Sequence, residues 1–215
     1  MMKMMMGQSC LDREMASVNV LVKGQHSKNE DGKLVISSTV TLIKSNKNII
    51  VDTGSFLDKE TIIKELQKKD LTPESIDIVI LTHLHLDHIV NTYLFKNAQV
   101  YCKFKKDPYS GQVHYPRKGC LERTEPFGEL NLANDMCIIS TPGHTEDMVS
   151  VVVDTVEGKV VIAGDAFPDK SFLDGKKQPD PLLVNIQEFN ESRKKIIEIA
   201  DFIVPGHGDM FKVEK

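Results

Sequence analysis

The segment Thr82-His83-Leu84-His85-Leu86-Asp87-His88 carries five residues able to ligate or orient a metal, and it follows directly on the apolar run 76–81. That run is short, unbroken and preceded by Pro73-Glu74-Ser75, the pattern of a buried strand. A strand ending in H-x-H-x-D-H delivers its imidazoles at a sheet edge. Alternation predicts His83 and His85 on one side, with Asp87 and His88 on the following turn. Three histidines in six residues cannot be buried without partners. A chain with this segment must fold so that other polar groups meet the same edge.

Three further segments repeat the grammar of apolar strand, glycine turn, then ligand. His144 lies in Thr141-Pro142-Gly143-His144-Thr145 after the strand pattern 137–139. Asp165 lies in Ala163-Gly164-Asp165-Ala166 after 159–162, and His207 in Val204-Pro205-Gly206-His207-Gly208 after 202–204. Glycine there lets backbone approach a site closely. Neutral imidazoles and carboxylates are the usual ligands of Zn²⁺, and a catalytic ion takes about three of them plus an open position for water. Five histidines and two aspartates suffice for two ions if one carboxylate bridges.

Together with Val51-Asp52-Thr53-Gly54, these segments resemble the motifs of the metallo-β-lactamase-fold hydrolases, and the resemblance runs from about residue 18 to 213. It implies a single-domain α/β fold, a four-layer αββα sandwich with the site in the cleft between two sheets. Carried over by position, it implies that His83, His85 and His144 hold one metal. Asp87, His88 and His207 would hold the second, with Asp165 bridging both. Asp52 resembles the family's aspartate that orients a ligand instead of binding metal, a role suited to the hydrogen bonds that ligating imidazoles need. Two zinc ions per chain are expected, and iron or manganese could substitute without changing the ligands.

Length and composition agree with one ordinary soluble domain. The 215 residues allow one well-buried core, 40% are hydrophobic and 27% charged, and the net charge is −4. Neither nucleic-acid nor membrane binding is advertised overall, and no apolar stretch approaches the roughly 18 residues of a membrane span. Residues 1–15 crowd Met1, Met2, Met4, Met5 and Met6 around Lys3 and read as a disordered leader, not a secretory signal. Residues 16–215 form the hydrolase domain in this reading, and only eight residues follow His207, leaving no appended domain. Cys10, Cys102, Cys120 and Cys137 show no C-x-x-C spacing, which fits a reduced compartment: the cytoplasm, or the nucleus in a eukaryotic host. Cys102 and Cys137 read as core residues of apolar strands.

Strands are expected over 18–22, 39–44, 49–52, 99–103, 137–140, 149–154 and 159–162, with helices over 58–69 (Asp58 as cap) and 187–200. His26 falls in a polar turn, 24–32, and reads as a surface residue. His114 does likewise in the segment 103–118. There Lys103, Lys105, Lys106, Arg117 and Lys118 outweigh Asp107, and Tyr109 and Tyr115 are interleaved among them. Lys105, Lys106, Tyr109, Tyr115, Arg117 and Lys118 are candidates for gripping an anionic substrate, with solvated surface as the alternative. The segment 167–186 reads as an irregular connection that narrows the cleft.

The resemblance implies hydrolysis by a metal-bridging hydroxide, with Asp87 and Asp165 catalytic: Asp87 orients the hydroxide and accepts a proton. Val20-Leu21-Val22-Lys23-Gly24, Ser37-Ser38-Thr39-Val40-Thr41-Leu42 and Glu191-Ser192-Arg193-Lys194-Lys195 are similar to a branch of the family that cleaves histone pre-messenger RNA at its 3′ end. A phosphodiesterase or endoribonuclease is therefore the leading expectation. The alternative is a thioesterase or other acyl hydrolase, for lactones or β-lactams, of glyoxalase II-like chemistry; an idle metal-stabilised binding protein is the third. Expected partners are RNA or a small ester or thioester, without a membrane, and a homodimer is left open.

Overall fold

Strands apolar on both faces need cover on both sides, and four layers supply it. The computed structural model describes residues 15–102, 130–133, 135–181 and 184–214. The Met-rich stretch 1–14 and the basic segment 103–118 lie outside these residues.

The first half runs β1 (Ser17–Val22), the hairpin β2 (Gln25–Lys28) and β3 (Leu34–Ser37), then β4 (Val40–Lys44) and β5 (Asn48–Val51). Helix α1 (Lys59–Gln67), strand β6 (Ile78–Ile80), helix α2 (Leu86–Ile89) and strand β7 (Gln99–Tyr101) follow. The second half has β8 (Leu130–Ala133), β9 (Met136–Ser140), β10 (Val149–Thr155), β11 (Gly158–Gly164), α3 (Ile186–Ile199), β12 (Phe202–Pro205) and β13 (Phe211–Lys212). One sheet has the order β1-β4-β5-β6-β7, the other β13-β12-β11-β10-β9-β8, and β2-β3 is a separate ribbon.

Alternation along the strands divides the core into three. Ile43, Ile49, Val51, Ile78 and Ile80 of the first sheet meet Ile138, Val151, Val153, Val160, Ile162 and Val204 of the second. Their neighbours Leu42, Ile50 and Val79 point the other way and pack with Ile62 and Leu66 of α1. On the far side Val152, Val161 and Ile203 pack with Phe189 and Ile196 of α3. The result is the αββα sandwich. Among the described residues no helix is long and apolar enough to cross a membrane.

The topology also sets the site. Strand β5 is parallel to β6, and β11 is parallel to β12. Strand β9 is antiparallel to β10, which is antiparallel to β11, so β9 runs in the direction of β11. The carboxyl ends of β5 and β6, and those of β9, β11 and β12, thus gather at the edges where the ligand segments begin.

Several local expectations need correction. Strand β6 stops at Ile80, so His83 and His85 are presented by a loop and not by strand alternation. Asp87 and His88 lie in the short helix α2, not in a turn. Asp58 sits at the N-cap of α1, yet its carboxylate makes no cap bond; it accepts from Ser37 Oγ, Ser55 N and Ser55 Oγ instead. The polar stretch 24–32 is largely hairpin, with His26 paired to Ile36 across the ribbon. Polar, exposed residues on both sides of β2 leave no alternation to read.

Candidate metal centre

The candidate ligands sit beyond strand ends or, for Asp87 and His88, within α2. Thr82 Oγ1 lies 3.1 Å from His83 Nδ1, which turns His83 Nε2 inward, 3.0 Å from His85 Nδ1. His144 Nε2 is also 3.0 Å from that atom. Its loop is held by α3: Ser192 Oγ donates to the Pro142 carbonyl (2.6 Å) and Asn185 N to the Gly143 carbonyl (2.9 Å). Three imidazole nitrogens thus converge, two of them within 3.0 Å of the third.

A second group lies alongside. His88 Nε2 is 3.6 Å from Asp87 Oδ2, and His207 Nε2 is 3.8 Å from the same oxygen. His207 Nδ1 donates to the Ser37 carbonyl at 2.9 Å, which fixes its ring. Asp165 stands between the groups. Its Oδ2 is 3.3 Å from His144 Nε2, while its Oδ1 is 3.3 Å from His207 Nε2 and 3.5 Å from His88 Nε2. Glycine at position 206 is required for this placement, since a Cβ there would fall 1.8 Å from Asp165 Oδ1.

Asp52 joins neither group. Its carboxylate accepts from His88 Nδ1, Thr82 N and Thr82 Oγ1, each at 2.8 Å. The residue adopts φ 55°, a left-handed conformation that aspartate tolerates better than most residues. Thr53 and Asn91 complete the support: Thr53 N donates to the His88 carbonyl at 2.7 Å, and Asn91 Nδ2 to the Thr53 carbonyl at 2.8 Å. Thr82 was counted with the cluster as a residue able to orient a metal, without its tie to Asp52; Asn91 and the Ser37 carbonyl were not singled out from the sequence. A threonine flanking the histidine cluster was a readable signal; a backbone carbonyl from a distant hairpin was not.

Burial and charge set the protonation of these groups. Burial pushes the His83 imidazole well below its ordinary range, and the neighbouring His88 adds to this. His144 is lowered by burial too. At His88 burial opposes the charged form, but Asp52 and Asp165 outweigh it and raise its pKa well above the usual value. Burial likewise opposes charge at Asp165, yet His88 and His207 hold its carboxyl well below the usual carboxylate range. His207 is raised by Asp165 against the effect of burial.

These residues fit divalent cations. The groups His83–His85–His144, His83–His88–Asp165 and Asp87–His88–His207 each bring their ligand atoms within 4.8 Å of one another. Among the described residues, buried His88 Nε2 and Asp165 Oδ1 have no hydrogen-bond partner, although such atoms in an interior normally do. Neutral imidazoles and carboxylates around shared space are the donor set of zinc and related ions. Lys105, Lys106, Tyr109, Tyr115, Arg117 and Lys118, the expected substrate residues, lie outside the described residues.

Fold and site together define a metal-dependent hydrolase of the αββα type. The chain belongs to the metallo-β-lactamase superfamily, whose family model matches residues 34–207. It is 33% identical over 201 residues to metallo-β-lactamase domain-containing protein 1 of Xenopus laevis, covering 93% of this chain and 82% of that protein. A protein named as a metallo-hydrolase in Methanocaldococcus jannaschii is 36% identical over 167 residues, covering 78% of this chain and 74% of that one. Among solved structures, one from Thermotoga maritima assigned to the metallo-β-lactamases superposes with a TM-score of 0.71. It is 21% identical, and the match covers 93% of this chain and all of that one.

Proposed function

We propose that this protein uses two metal ions to hydrolyse phosphodiester bonds in RNA. One observation supports the two-ion reading most: the two oxygens of Asp165 face different donor groups, Oδ2 toward His144 and Oδ1 toward His88 and His207. Zinc suits the nitrogen-rich first group, His83, His85 and His144. Bound divalent ions would lower the pKa of water to the neutral range and polarise the oxygen beside the scissile bond.

The chain's own residues supply the rest. Asp165 offsets the positive charge between the groups, and Asp52 keeps the His88 ring aimed inward. Asp87, half-buried on α2, orients the attacking water and takes up its proton as the bond breaks. The substrate class rests on Lys103, Lys105, Lys106, Arg117 and Lys118, with Tyr109 and Tyr115 among them, in the stretch that joins α2 to His144 in sequence. Cations interleaved with aromatics suit a single-stranded polyanion.

A second reading, hydrolysis of an acyl thioester or lactone, is favoured by Leu86. This leucine is 66% exposed although it lies between His85 and Asp87, where an acyl chain could cover it. Labelled RNA and an acyl thioester, each incubated with zinc-loaded protein, separate the readings. Metal-dependent RNA cleavage is expected. Turnover of the thioester alone would replace the RNA proposal with the acyl one.

A further inference from the structure

The hairpin β2–β3 is anchored to the metal centre at its root. Besides the Ser37 carbonyl that accepts from His207, Ser38 N donates to the Asp87 carbonyl (3.2 Å) and Thr39 N to the Gly206 carbonyl (2.7 Å). The other strand enters as closely. A Cβ at Gly24 would lie 2.4 Å from Thr39 N and 2.7 Å from the Gly206 oxygen, so only glycine lets the chain pass. Lys23 Nζ pairs with Asp209, just past His207. With both strands tied to the His207 loop at their root, the ribbon is seated beside the centre.

One of them is His26. Its ring centroid lies 5.7 Å from that of His207, with the planes tilted by 56°. His26 is exposed, its nitrogens have no hydrogen-bond partner among the described residues, and it belongs to none of the ligand groups. It is neither a core residue nor a placed ligand, yet its ring stands beside His207 of the second group. Strand alternation puts Lys28 on the same face, about 7 Å farther out. Lys28 is exposed and has no ion-pair partner among the described residues.

We infer that this hairpin face grips the anionic part of the substrate. His26 donates a hydrogen bond to a phosphoryl oxygen held against the His88–His207 side of the centre, and Lys28 attracts the next negative group outward. The inference deepens the RNA proposal and rests on it for the macromolecular substrate. The His26 contact is defined for any phosphoryl oxygen. A hydrogen bond to a charged group is strong enough for its loss to be visible in binding.

Inorganic phosphate is the first probe, titrated into zinc-loaded wild type, His26→Ala, His26→Gln and Lys28→Ala, with metal content measured for each. His26→Ala should weaken phosphate binding about tenfold or more at unchanged metal content, since hydrogen bonds to charged groups contribute roughly 1.5–3 kcal/mol. His26→Gln keeps a donor and should recover most of the affinity; Lys28→Ala should alter phosphate binding little. With RNA, His26→Ala should raise KM more than it lowers kcat. Lys28→Ala should raise KM and reduce the salt slope by about 0.7. A lost metal equivalent in His26→Ala would make His26 a ligand and overturn the inference. So would phosphate affinity that is unchanged in that variant, or undetectable in the wild type. If phosphate behaves as described but no RNA is cleaved, the RNA proposal fails while the His26 contact stands.

Discussion

The carboxylates of Asp52 and Asp165 are both buried beside His88, but their surroundings give them different work. Asp52 has its oxygens occupied by Thr82 and His88 Nδ1, whereas Asp165 Oδ1 has no hydrogen-bond partner among the described residues. Asp165→Asn should therefore release metal and abolish turnover, and elemental analysis after gel filtration checks the first part. Asp52→Asn should be milder, a roughly 10–100-fold loss in metal affinity or activity, as found for residues that orient a ligand. Wild-type metal content in Asp165→Asn would contradict the assignment. The histidines add a pH dependence. In the metal-free site, against the effect of burial, Asp52 and Asp165 raise the pKa of His88, and Asp165 that of His207, so both hold their protons to higher pH than an ordinary imidazole and a metal competes with those protons. Metal affinity should rise with pH through and above the ordinary imidazole pKa of about 6.5, with protons released on binding. Calorimetric titrations of zinc in buffers of different ionisation enthalpy measure that release directly.

At the scale of elements, the two halves place chemistry at matching points. Asp52 follows β5 and Asp165 follows β11, each just before the crossover to a parallel strand. Beyond those crossovers, β6 leads to the histidine cluster and β12 to His207. This is why so much of the site was legible in the sequence: strands buried on both faces produce unbroken apolar runs, and each ends at a polar or glycine break beside its ligand. The hairpin was not legible, because β2 is exposed and polar throughout. Its contributions, the Ser37 carbonyl and the His26 ring, depend on pairing that no local pattern announces. The short α2 was missed because four residues carry too little periodicity; Asp58 does hold the N-cap position, but its carboxylate is taken by Ser55 and by Ser37, 21 residues away, instead of capping the helix. Helix α3 offers a test of how elements hold the site. Asn185 Oδ1 accepts from Glu188 N at 3.2 Å as its N-cap. Asn185→Ala should cost about 1 kcal/mol, a fall in Tm of roughly 2–4 °C for a domain of this size. The His144 loop leans on the same turn, so metal affinity should fall with it; zinc titration alongside thermal melts tests whether the two losses accompany each other.

On the scale of the whole molecule, charge distribution matters more than total charge. A net charge of −4 would repel a polyanion at long range, so an RNA substrate needs a local basic region to reach the metal centre. The stretch between β7 and β8 supplies the necessary sequence, with Lys105, Lys106, Arg117 and Lys118 among its cations. It joins the edge strand of one sheet to the edge strand of the other. If these groups neutralise phosphates, each contact releases counterions and affinity falls as salt rises. Replacing the four together with glutamine should raise KM for RNA and flatten its dependence on salt, while metal content stays at the wild-type level. Hydrolysis of a neutral thioester should respond little, because it offers no phosphate to neutralise. Steady-state kinetics on RNA at several salt concentrations measure the effect. An unaltered KM and salt slope in the quadruple variant would assign these cations to solvated surface, and the hairpin face of His26 and Lys28 would then be the remaining source of attraction for an anionic substrate.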